Sequence, residues 1–594
     1  MSEDVPAGEP ATATRRRGRL AWLIVGVVLV AVVGAVIWVG VRGWLAKGEL
    51  ESAAAAAEKL QAQIVSGDTV AAGESADRLV AHTHEAAGLT GDPVWALAEV
   101  VPVVGPNLSA VRVVSAQLDA ASSEAILPLT KLAQSVFAES FRPVDGRIDL
   151  EPLIAARPAA HSARTVLTDA AAAVDEIDDD GLLGPVATAK DSLAAALGKA
   201  AGLSATLDDA LVVAPVMLGA NGPRNYLVLF QNNAELRSAG GIPGAFALVH
   251  AEDGLLQLVR QASTTDFSPK DGPPLPAPAA MSAVFGDGMS SHIQDVTMTP
   301  DFTVSADLAS SMWERKFGGT VDGVIAVDPV ALSYLLGATG PVTLGDGSQL
   351  TKENAVKSLL MDVYTRFPDG AAQDAFFAES AAASFKAITG GAADPKALVS
   401  ALARAGDENR VSLWSADESV QSVLDGTTLA GLDAAQKAMG PEAYGVYLND
   451  ATGAKMDPYL DVAMAVGTKP RGDGRSDVMV TVTLTSKAAA NAATSYPPVV
   501  AGTGFYGVAP GQIATNVTVF APAGAFDAGV KRDGERVEYA PATVDDRAVS
   551  SLGVTLAPGE KAVLVFQYTS AEKGQSDPTL LHTPLMRNIT VGTH

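Results

Sequence analysis

The strongest constraint in this sequence is a long uncharged apolar stretch near the start of the chain. Leu20 to Val41 runs for 22 residues without a charged side chain, LAWLIVGVVLVAVVGAVIWVGV. A helix of that length covers about 33 Å, and a bilayer core is about 30 Å thick. A signal peptide would have a shorter apolar region followed by a small-residue cleavage site. A two-sided protein core suits so long a charge-free helix less well than hydrocarbon does. The stretch therefore predicts an uncleaved transmembrane helix.

Basic residues lie unevenly around this stretch. Four arginines precede it closely, whereas only Arg42 and Lys47 follow it closely. The positive-inside rule predicts that residues 1–19 form a cytoplasmic tail and that the bulk of the chain is extracytoplasmic. The expected localisation is a single-pass plasma-membrane protein that contacts the lipid bilayer through Leu20 to Val41.

Charge and cysteine content exclude several functions. The 594 residues include 42 Lys and Arg against 67 Asp and Glu, a net charge of −25. Nucleic-acid backbones need a basic face, so no nucleic-acid partner is expected. The chain has no cysteine, which excludes disulfides, thiolate zinc sites and cysteine nucleophiles.

Residues 42–214 are rich in alanine and leucine at helical spacing. The pattern predicts a helical stalk or bundle and leaves the choice between them open. Breaks at Gly91-Asp92-Pro93 and at 101–106 argue against one continuous coiled coil, which favours antiparallel helices.

Residues 215–455 mix short strand patterns with helices, which predicts a central α/β domain. NYLVLF (225–230) is typical of a buried strand, and Asp253-Gly254 predicts a hairpin between its two flanking apolar runs. Residues 323–327 predict another strand. Asp328-Pro329 then matches an N-cap followed by proline at the first helical position.

Residues 456–594 lack helical periodicity. Val478, Val480, Val482 and Leu484 alternate with less apolar residues, and 516–520 and 562–568 behave similarly. A period of two over several short segments predicts a β-sandwich. The expected fold class is α+β multidomain: an N-terminal transmembrane helix, a helical stalk or bundle, a central α/β domain and a C-terminal β-sandwich.

The most unusual polar segment is FQNNAELRSAGGIPG (230–244), which lies between two predicted strands. Amides, a guanidinium and backbone N–H groups of a glycine loop can together hold an oxyanion such as phosphate or a sugar carboxylate. The candidate ligand-binding residues are Gln231, Asn232, Asn233, Arg237, Gly240 and Gly241. Alternatively, the amides cap the strand end and Arg237 pairs with Glu235 or another buried acid.

Two further polar clusters follow predicted strands. Asp266 ends the run Ser263-Thr264-Thr265-Asp266, where a carboxylate could hold Mg²⁺ against a phosphate. Turn chemistry alone also explains these residues, because Ser, Thr and Asp favour such positions. The segment 449–457 (NDATGAKMD) is interpreted as a turn at the junction with the β-sandwich. The sequence contains no G-x-S-x-G, P-loop or H-E-x-x-H motif, so catalytic residues stay unknown.

Three motifs resemble a family of bacterial membrane proteins classed as a domain of unknown function, the DUF4012 type. They are NYLVLFQNNAELRSAGG, VDGVIAVDPVALSYLLGATGPV and NDATGAKMDPYL, and the resemblance extends over about residues 90–590. It implies a single-pass envelope protein with no assigned activity.

A more distant resemblance is to the LytR–CpsA–Psr family, which transfers glycopolymers from a polyprenyl-pyrophosphate carrier to peptidoglycan. By position, it implies that Arg237 and Arg366 contact the pyrophosphate and that Asp266 helps to hold Mg²⁺. The S-x-P-R-D motif of that family would fall at Ser263 to Asp266, where proline and arginine are absent. The arginine-glutamine pair of its later helix is reduced to Gln373.

These observations predict an envelope protein that binds or handles a cell-wall or capsular glycopolymer, or a lipid-linked glycan. If it is an enzyme, the resemblance implies a phosphotransferase-like glycopolymer transferase. The alternative is a non-catalytic scaffold that contacts other envelope proteins through its β-sandwich.

Overall fold

The computed structural model describes residues 14–66, 68–136, 143–144, 146–391 and 393–593. Within them the fold is α+β multidomain, as predicted, with an apolar N-terminal helix and several sheets. Contacts divide the chain into two compact units, Met1–Ser140 with Glu151–Val212 and Phe141–Leu150 with Val213–His594. The part of the predicted cytoplasmic tail before Thr14 lies outside the described residues.

The first unit is helical. Its helices are α1 (Thr14–Ser66), α2 (Thr69–Thr90), α3 (Pro93–Ala98), α4 (Gly105–Ala120), α5 (Leu127–Val136), α6 (Glu151–Asp175) and α7 (Gly184–Met217), of which α7 continues into the second unit. A π-helical turn, Ala121–Ile126, joins α4 to α5.

The long helix α1 has two parts with different surroundings. From Trp22 to Val41 most of its side chains are exposed. After that it packs through small and apolar residues at three- and four-residue spacing, including Ala46, Ala53, Ala56 and Leu60. Its part from Trp22 to Ile64, which overlaps the predicted Leu20–Val41 stretch, is long and apolar enough to cross a membrane.

The other helices form a bundle. α2 runs antiparallel to α1, because Arg42 bonds to Leu89 near the end of α2, whereas Glu49, two turns later in α1, bonds to His82, two turns earlier in α2. Leu167 of α6 and Leu197 of α7 share a second apolar core. α7 is also long and apolar enough to cross a membrane, but it packs on α6. Antiparallel packing is the arrangement that the chain breaks favoured.

Among the described residues, the second unit contains three main sheets, formed by sixteen of the following strands. In chain order the strands are β1 (Arg224–Asn232), β2 (Ile242–Glu252), β3 (Leu255–Ser263), β4 (Gly323–Val327), β5 (Val342–Thr343), β6 (Gln349–Leu350), β7 (Val411–Ser415), β8 (Ala443–Asp450), β9 (Leu460–Pro470), β10 (Ser476–Ser486), β11 (Ile513–Ala523), β12 (Phe526–Arg532), β13 (Glu535–Val537), β14 (Ala540–Val544), β15 (Arg547–Leu556), β16 (Lys561–Thr569), β17 (Thr579–His582) and β18 (Gly592–Thr593).

Twelve helices accompany these strands among the described residues. They are α8 (Ala279–Phe285), α9 (Gly288–Ser291), α10 (Phe302–Phe317), α11 (Pro329–Thr339), α12 (Ala355–Lys357), α13 (Val363–Arg366), α14 (Gly370–Thr389), α15 (Pro395–Asp407), α16 (Glu418–Leu424), α17 (Leu432–Ala438), α18 (Ala492–Ser495) and α19 (Pro498–Ala501). A π-helical turn, Ser358–Asp362, separates α12 from α13.

The central sheet has the strand order β3-β2-β1-β4-β7. β1 pairs with β4 in parallel, and its other neighbour β2 is antiparallel to it. Leu227, Leu229 and Phe246 on one face pack with Phe302 and Trp313 of α10. The other face is covered by α11 and α14. The sheet is therefore the middle layer of three.

Local signals in this region are confirmed. Glu252 pairs with Leu255, and Asp253 and Gly254 adopt positive φ angles of 46° and 78°, as a two-residue hairpin turn of this kind requires. Asp328 caps α11 by accepting a hydrogen bond from the Ala331 amide, with Pro329 as the first residue of the helix.

The C-terminal region is a β-sandwich, as the alternating pattern predicted. One sheet has the order β13-β12-β16-β10-β9-β18 and the other β14-β15-β11-β8-β17. Val480 and Leu564 from the first sheet share a core with Val446 and Val517 from the second. β8 lies before residue 456, within the span predicted for the central domain, yet it pairs with β11 in the sandwich. All of its residues are buried, so nothing in its pattern assigns it to one sheet or the other.

Candidate functional site

The polar segment after β1 folds back on itself and is buried. Nε2 of Gln231 donates to the Ala239 carbonyl at 3.1 Å, and Nδ2 of Asn232 donates to the Tyr364 hydroxyl. Nδ2 of Asn233 lies 3.3 Å from both the Gly240 carbonyl and Asp328. The amide donors of these three residues are thus used inside the protein.

The backbone of this segment explains why glycine occupies both positions 240 and 241. Gly240 has a φ of 130°, which side-chain-bearing residues rarely adopt. A Cβ on Gly241 would lie 2.6 Å from the carbonyl oxygen of Asn232, closer than such atoms can approach. The Gly-Gly pair therefore lets the chain turn tightly between β1 and β2.

Arg237 belongs to a buried cluster of charges. Its guanidinium lies 3.0 Å from Asp295 and 3.5 Å from Glu235, and Glu235 also pairs with Lys455 at 2.9 Å. Burial opposes the charge on Glu235, but Lys455 and Arg237 outweigh it and hold the pKa of Glu235 below its usual value. This is the alternative interpretation of the segment, in which Arg237 pairs with Glu235 and another acid.

The segment 449–457 supplies two more acids to this cluster. Burial and repulsion from Glu235 raise the pKa of Asp450 to about 6. Burial and Asp450 raise the pKa of Asp457 well above its usual value. Asp457 accepts a hydrogen bond from the Leu236 amide at 2.6 Å, which ties this turn to the polar segment. The segment is a turn, as predicted, but it joins the sandwich strands β8 and β9 instead of linking the central domain to the β-sandwich.

Asp266 and Arg366 lie in different surroundings. Asp266 is exposed and accepts a hydrogen bond from the Ser263 amide in a capping box, which is the turn role that the sequence left open. Arg366 pairs with Asp346 and stacks on the ring of Phe367. These partners differ from those of Arg237, so the structure does not bring the three residues into one constellation.

A Mg²⁺ role for Asp266 gains no support from its neighbours. Within the described part of the chain, no group of three or more His, Asp or Glu side chains is placed to hold a metal ion. The carboxylate of Asp266 serves the backbone of its own turn.

Sequence reasoning missed an apolar cavity in this unit, which lies between the central sheet and the helices α11 and α14. Its volume is about 1060 Å³, including its opening to solvent. Large apolar side chains from every wall line it, including Val228, Phe230, Val249, Leu332, Phe377 and Phe385. Val228, Phe230 and Phe385 are only half-buried, because they face the cavity rather than a packed neighbour.

Small residues on β2 leave this space open. Gly244, Ala245 and Ala247 all face the cavity, while Phe246 between them points into the packed opposite face. Protein interiors rarely contain such open space, because their side chains pack about as densely as the molecules in organic crystals. The sequence signal was the small residues of PGAFAL, which the strand pattern alone cannot distinguish from ordinary core positions.

Polar groups are confined to a few places in the cavity wall. Gln231, Asn232 and Asp328 line it beside the buried segment. Burial raises the pKa of Asp328, although Arg410 lies 2.8 Å away and partly offsets the effect. On α14, the hydroxyl of Ser384 is buried without a hydrogen-bond partner, whereas that of Ser380 donates to the Phe376 carbonyl.

A second cavity of about 900 Å³, again including open space, shares Leu360 with the first. Its wall contains Lys455 and the stacked rings of Tyr459 and Tyr496, whose centroids are 4.7 Å apart. Tyrosines of this kind offer an apolar face beside a polar tip.

The central sheet and its first helices coincide with a known family model. Residues 221–364 match the model described as a protein of unknown function, DUF4012. This match confirms the predicted resemblance to that family. The DUF4012 stretch contains β1 to β4, the buried polar segment and α11, so it covers the sheet face of the cavity. No curated protein and no solved structure matches the chain. The more distant resemblance to the LytR–CpsA–Psr family stays a prediction.

Proposed function

We propose that this protein is a membrane-anchored extracytoplasmic envelope protein that binds a lipid-linked glycan of the cell wall or capsule. The hydrocarbon chain of this ligand occupies the cavity between the central sheet and α14. The observation that carries the proposal is the apolar lining of that cavity. A mostly apolar pocket with a few polar groups in its wall is the usual form of a small-molecule site.

The second cavity supports a glycan as the other part of the ligand. It adjoins the first cavity at Leu360, and its wall is more polar. A molecule with a long apolar chain and a sugar head group can therefore use both spaces. An unsubstituted fatty acid would leave the second one empty.

The N-terminal helix supports the membrane location in this proposal. α1 is long and apolar enough to cross a bilayer, and the arginines before it favour a cytoplasmic N-terminus. Binding rather than turnover is proposed, because Arg237 and Arg366 both pair with carboxylates of the protein itself. Neither guanidinium is left free to contact a pyrophosphate.

The test is direct binding of a fluorescent polyprenyl-phosphate sugar to the full-length protein in detergent. Ala245→Phe places a ring in the cavity and is expected to abolish most binding. The matched control is Val259→Phe on the neighbouring strand β3, where Val259 is 59% exposed, and it is expected to bind normally. Equal binding by wild type and Ala245→Phe, with both proteins folded, would refute the proposal.

A scaffold role through the β-sandwich is the second candidate. Its support is the adjacent pair Phe505 and Tyr506, which are 82% and 66% exposed on the loop before β11. Exposed aromatic residues are enriched at protein interfaces. Cross-linking in cells that depends on Phe505 and Tyr506 while Ala245→Phe has no phenotype would favour this role.

A further inference from the structure

The first unit carries an exposed apolar segment between α2 and α4. Five of its large apolar side chains are exposed by between 47% and 80%. They are Leu97, Val100, Val101, Val103 and Val104. Soluble surfaces rarely concentrate large apolar side chains in this way, and such patches mark interaction sites.

This 93–104 segment also lacks a free charge. Glu99 is its only charged residue, and its two carboxylate oxygens lie 2.6 and 3.1 Å from nitrogens of Arg112 on α4. A paired carboxylate is easier to move out of water than an isolated one. The segment is therefore chemically suited to a lipid surface.

Contacts hold the start of the segment at the end of the apolar stretch of α1. Arg42 follows that stretch directly, and its guanidinium donates to the carbonyls of Leu89 and Gly88 at 2.8 and 2.9 Å. Asp92, the N-cap of α3, lies 3.3 Å from the same guanidinium. Nε1 of Trp38 lies 3.4 Å from Asp92, one helical turn farther into the apolar stretch.

Trp95 completes this attachment. It is 1% exposed, and its ring would touch a Cβ placed on Gly43 at 3.6 Å. Its indole nitrogen donates to the Leu108 carbonyl of α4 at 3.0 Å. The 93–104 segment is thus fixed to α1, α2 and α4 at the level where α1 would leave the bilayer.

We propose that the 93–104 segment inserts into the surface of the membrane that anchors α1. The proposal rests on the membrane anchor but not on ligand binding by the cavity. Trp38 is four residues before Arg42, about 6 Å along the helix axis. That depth agrees with the insertion of interfacial apolar groups, about 5–10 Å into the boundary region.

An acidic loop near the 93–104 segment limits how deeply the segment inserts. Asn107 bonds to the Gly181 carbonyl and to the Leu183 amide, which places the loop after Asp178, Asp179 and Asp180 beside the base of the segment. Carboxylates avoid hydrocarbon and anionic head groups. Insertion is therefore shallow and favours a zwitterionic surface. It gives the helical unit a second membrane contact and restricts its tilting about α1.

The absence of cysteine makes the test direct. Val100→Cys and Val103→Cys are each labelled with an environment-sensitive fluorophore in the full-length protein, reconstituted in phosphatidylcholine vesicles with nitroxide-labelled lipid. Val70→Cys, at the opposite end of α2 and 71% exposed, is the water-exposed control. Val30→Cys, within the apolar stretch of α1, is the membrane control.

We expect blue-shifted emission and strong quenching at positions 100 and 103, with neither at position 70. Adding Val103→Glu to the Val100→Cys protein should reduce quenching to the level at position 70. Quenching at position 30 but not at 100 and 103 would overturn the proposal. If position 30 is also unquenched, the anchor itself is wrong and the proposal fails with it. Neither result depends on lipid-glycan binding, which is measured separately in detergent.

Discussion

The polar segment at 231–241 and the apolar cavity beside it show opposite relations between chemistry and exposure. The segment contains the amides and the arginine that a binding site would use, yet its polar groups bond to one another inside the protein. The cavity is lined by residues typical of a core, yet they face open space. Polar composition therefore marks a structural joint here, and apolar composition marks an open cavity.

The joint connects the central sheet to the β-sandwich. Arg237 and Glu235 belong to the segment after β1, whereas Lys455, Asp450 and Asp457 belong to the turn after β8. Buried charges need partners, because removing one leaves the others uncompensated. This explains why two separate motifs of the sequence are so rich in polar residues.

The largest expected effect tests this joint. Arg237→Ala leaves Asp295 without its partner and Glu235 with Lys455 alone, so we expect a loss of about 3–5 kcal/mol in the free energy of unfolding. Arg366→Ala is the control, since its ion pair with Asp346 is exposed and exposed pairs contribute little. Urea unfolding of both proteins measures the difference. Equal stability of the two variants would mean that the segment is not a structural joint.

The next effect concerns the pH dependence of the same cluster. The pKa of Asp450 is about 6 in the folded protein and about 3.9 in an unfolded chain. The folded state therefore binds the proton of Asp450 more tightly than the unfolded state does. The stabilisation that this proton provides is lost as the pH rises from about 4 through 6. The expected loss is about 2–3 kcal/mol. Asp450→Asn should remove it and flatten the profile of unfolding free energy against pH.

Asp346→Asn is a matched variant for which the pH dependence of stability should have the opposite sign. Hydrogen bonds from Ser348 and the charge of Arg366 lower the pKa of Asp346, so its contribution to stability is lost as pH falls. Asp346→Asn should therefore change the profile only at acid pH. Parallel profiles for wild type and Asp450→Asn between pH 4 and 7 would contradict the role assigned to the buried cluster.

The smallest effect separates the open face of the central sheet from its packed face. Ala247→Val on β2 adds two carbon atoms at the cavity wall, where space exists, so stability should change by less than about 1 kcal/mol. Ala326→Val on β4 adds the same atoms on the opposite face, where Ala326 is 2% exposed in the packed core. Overpacking there should cost about 1–3 kcal/mol. Thermal unfolding distinguishes the two, and equal losses would indicate that the cavity closes in solution.

Much of the fold was predictable because its signals are local. The apolar stretch from Leu20, the Asp253-Gly254 hairpin, the Asp328-Pro329 helix start and the alternation from Val478 to Leu484 all predicted the elements that the structure contains. Each depends on residues within a few positions of one another. The DUF4012 resemblance was likewise carried by continuous motifs.

The candidate site was less predictable because it depends on contacts between distant residues. Arg237 meets Asp295, which is 58 positions away, and the carbonyl of Asp450, which is 213 positions away. The sequence allowed Asp266 either a metal-binding role or a role in a turn, and its hydrogen bond from the Ser263 amide places it in the turn. Charge and spacing alone cannot separate a ligand contact from an internal ion pair.

The sequence by itself determined the apolar N-terminal helix and the helical, mixed and β-rich regions, because periodicity and turn residues act over short distances. Only the tertiary structure decided where apolar side chains pack and where they enclose space. The small residues of β2 leave a cavity only because α14 stands at a distance from them. That distance is set by the packing of the whole unit, which no local pattern encodes.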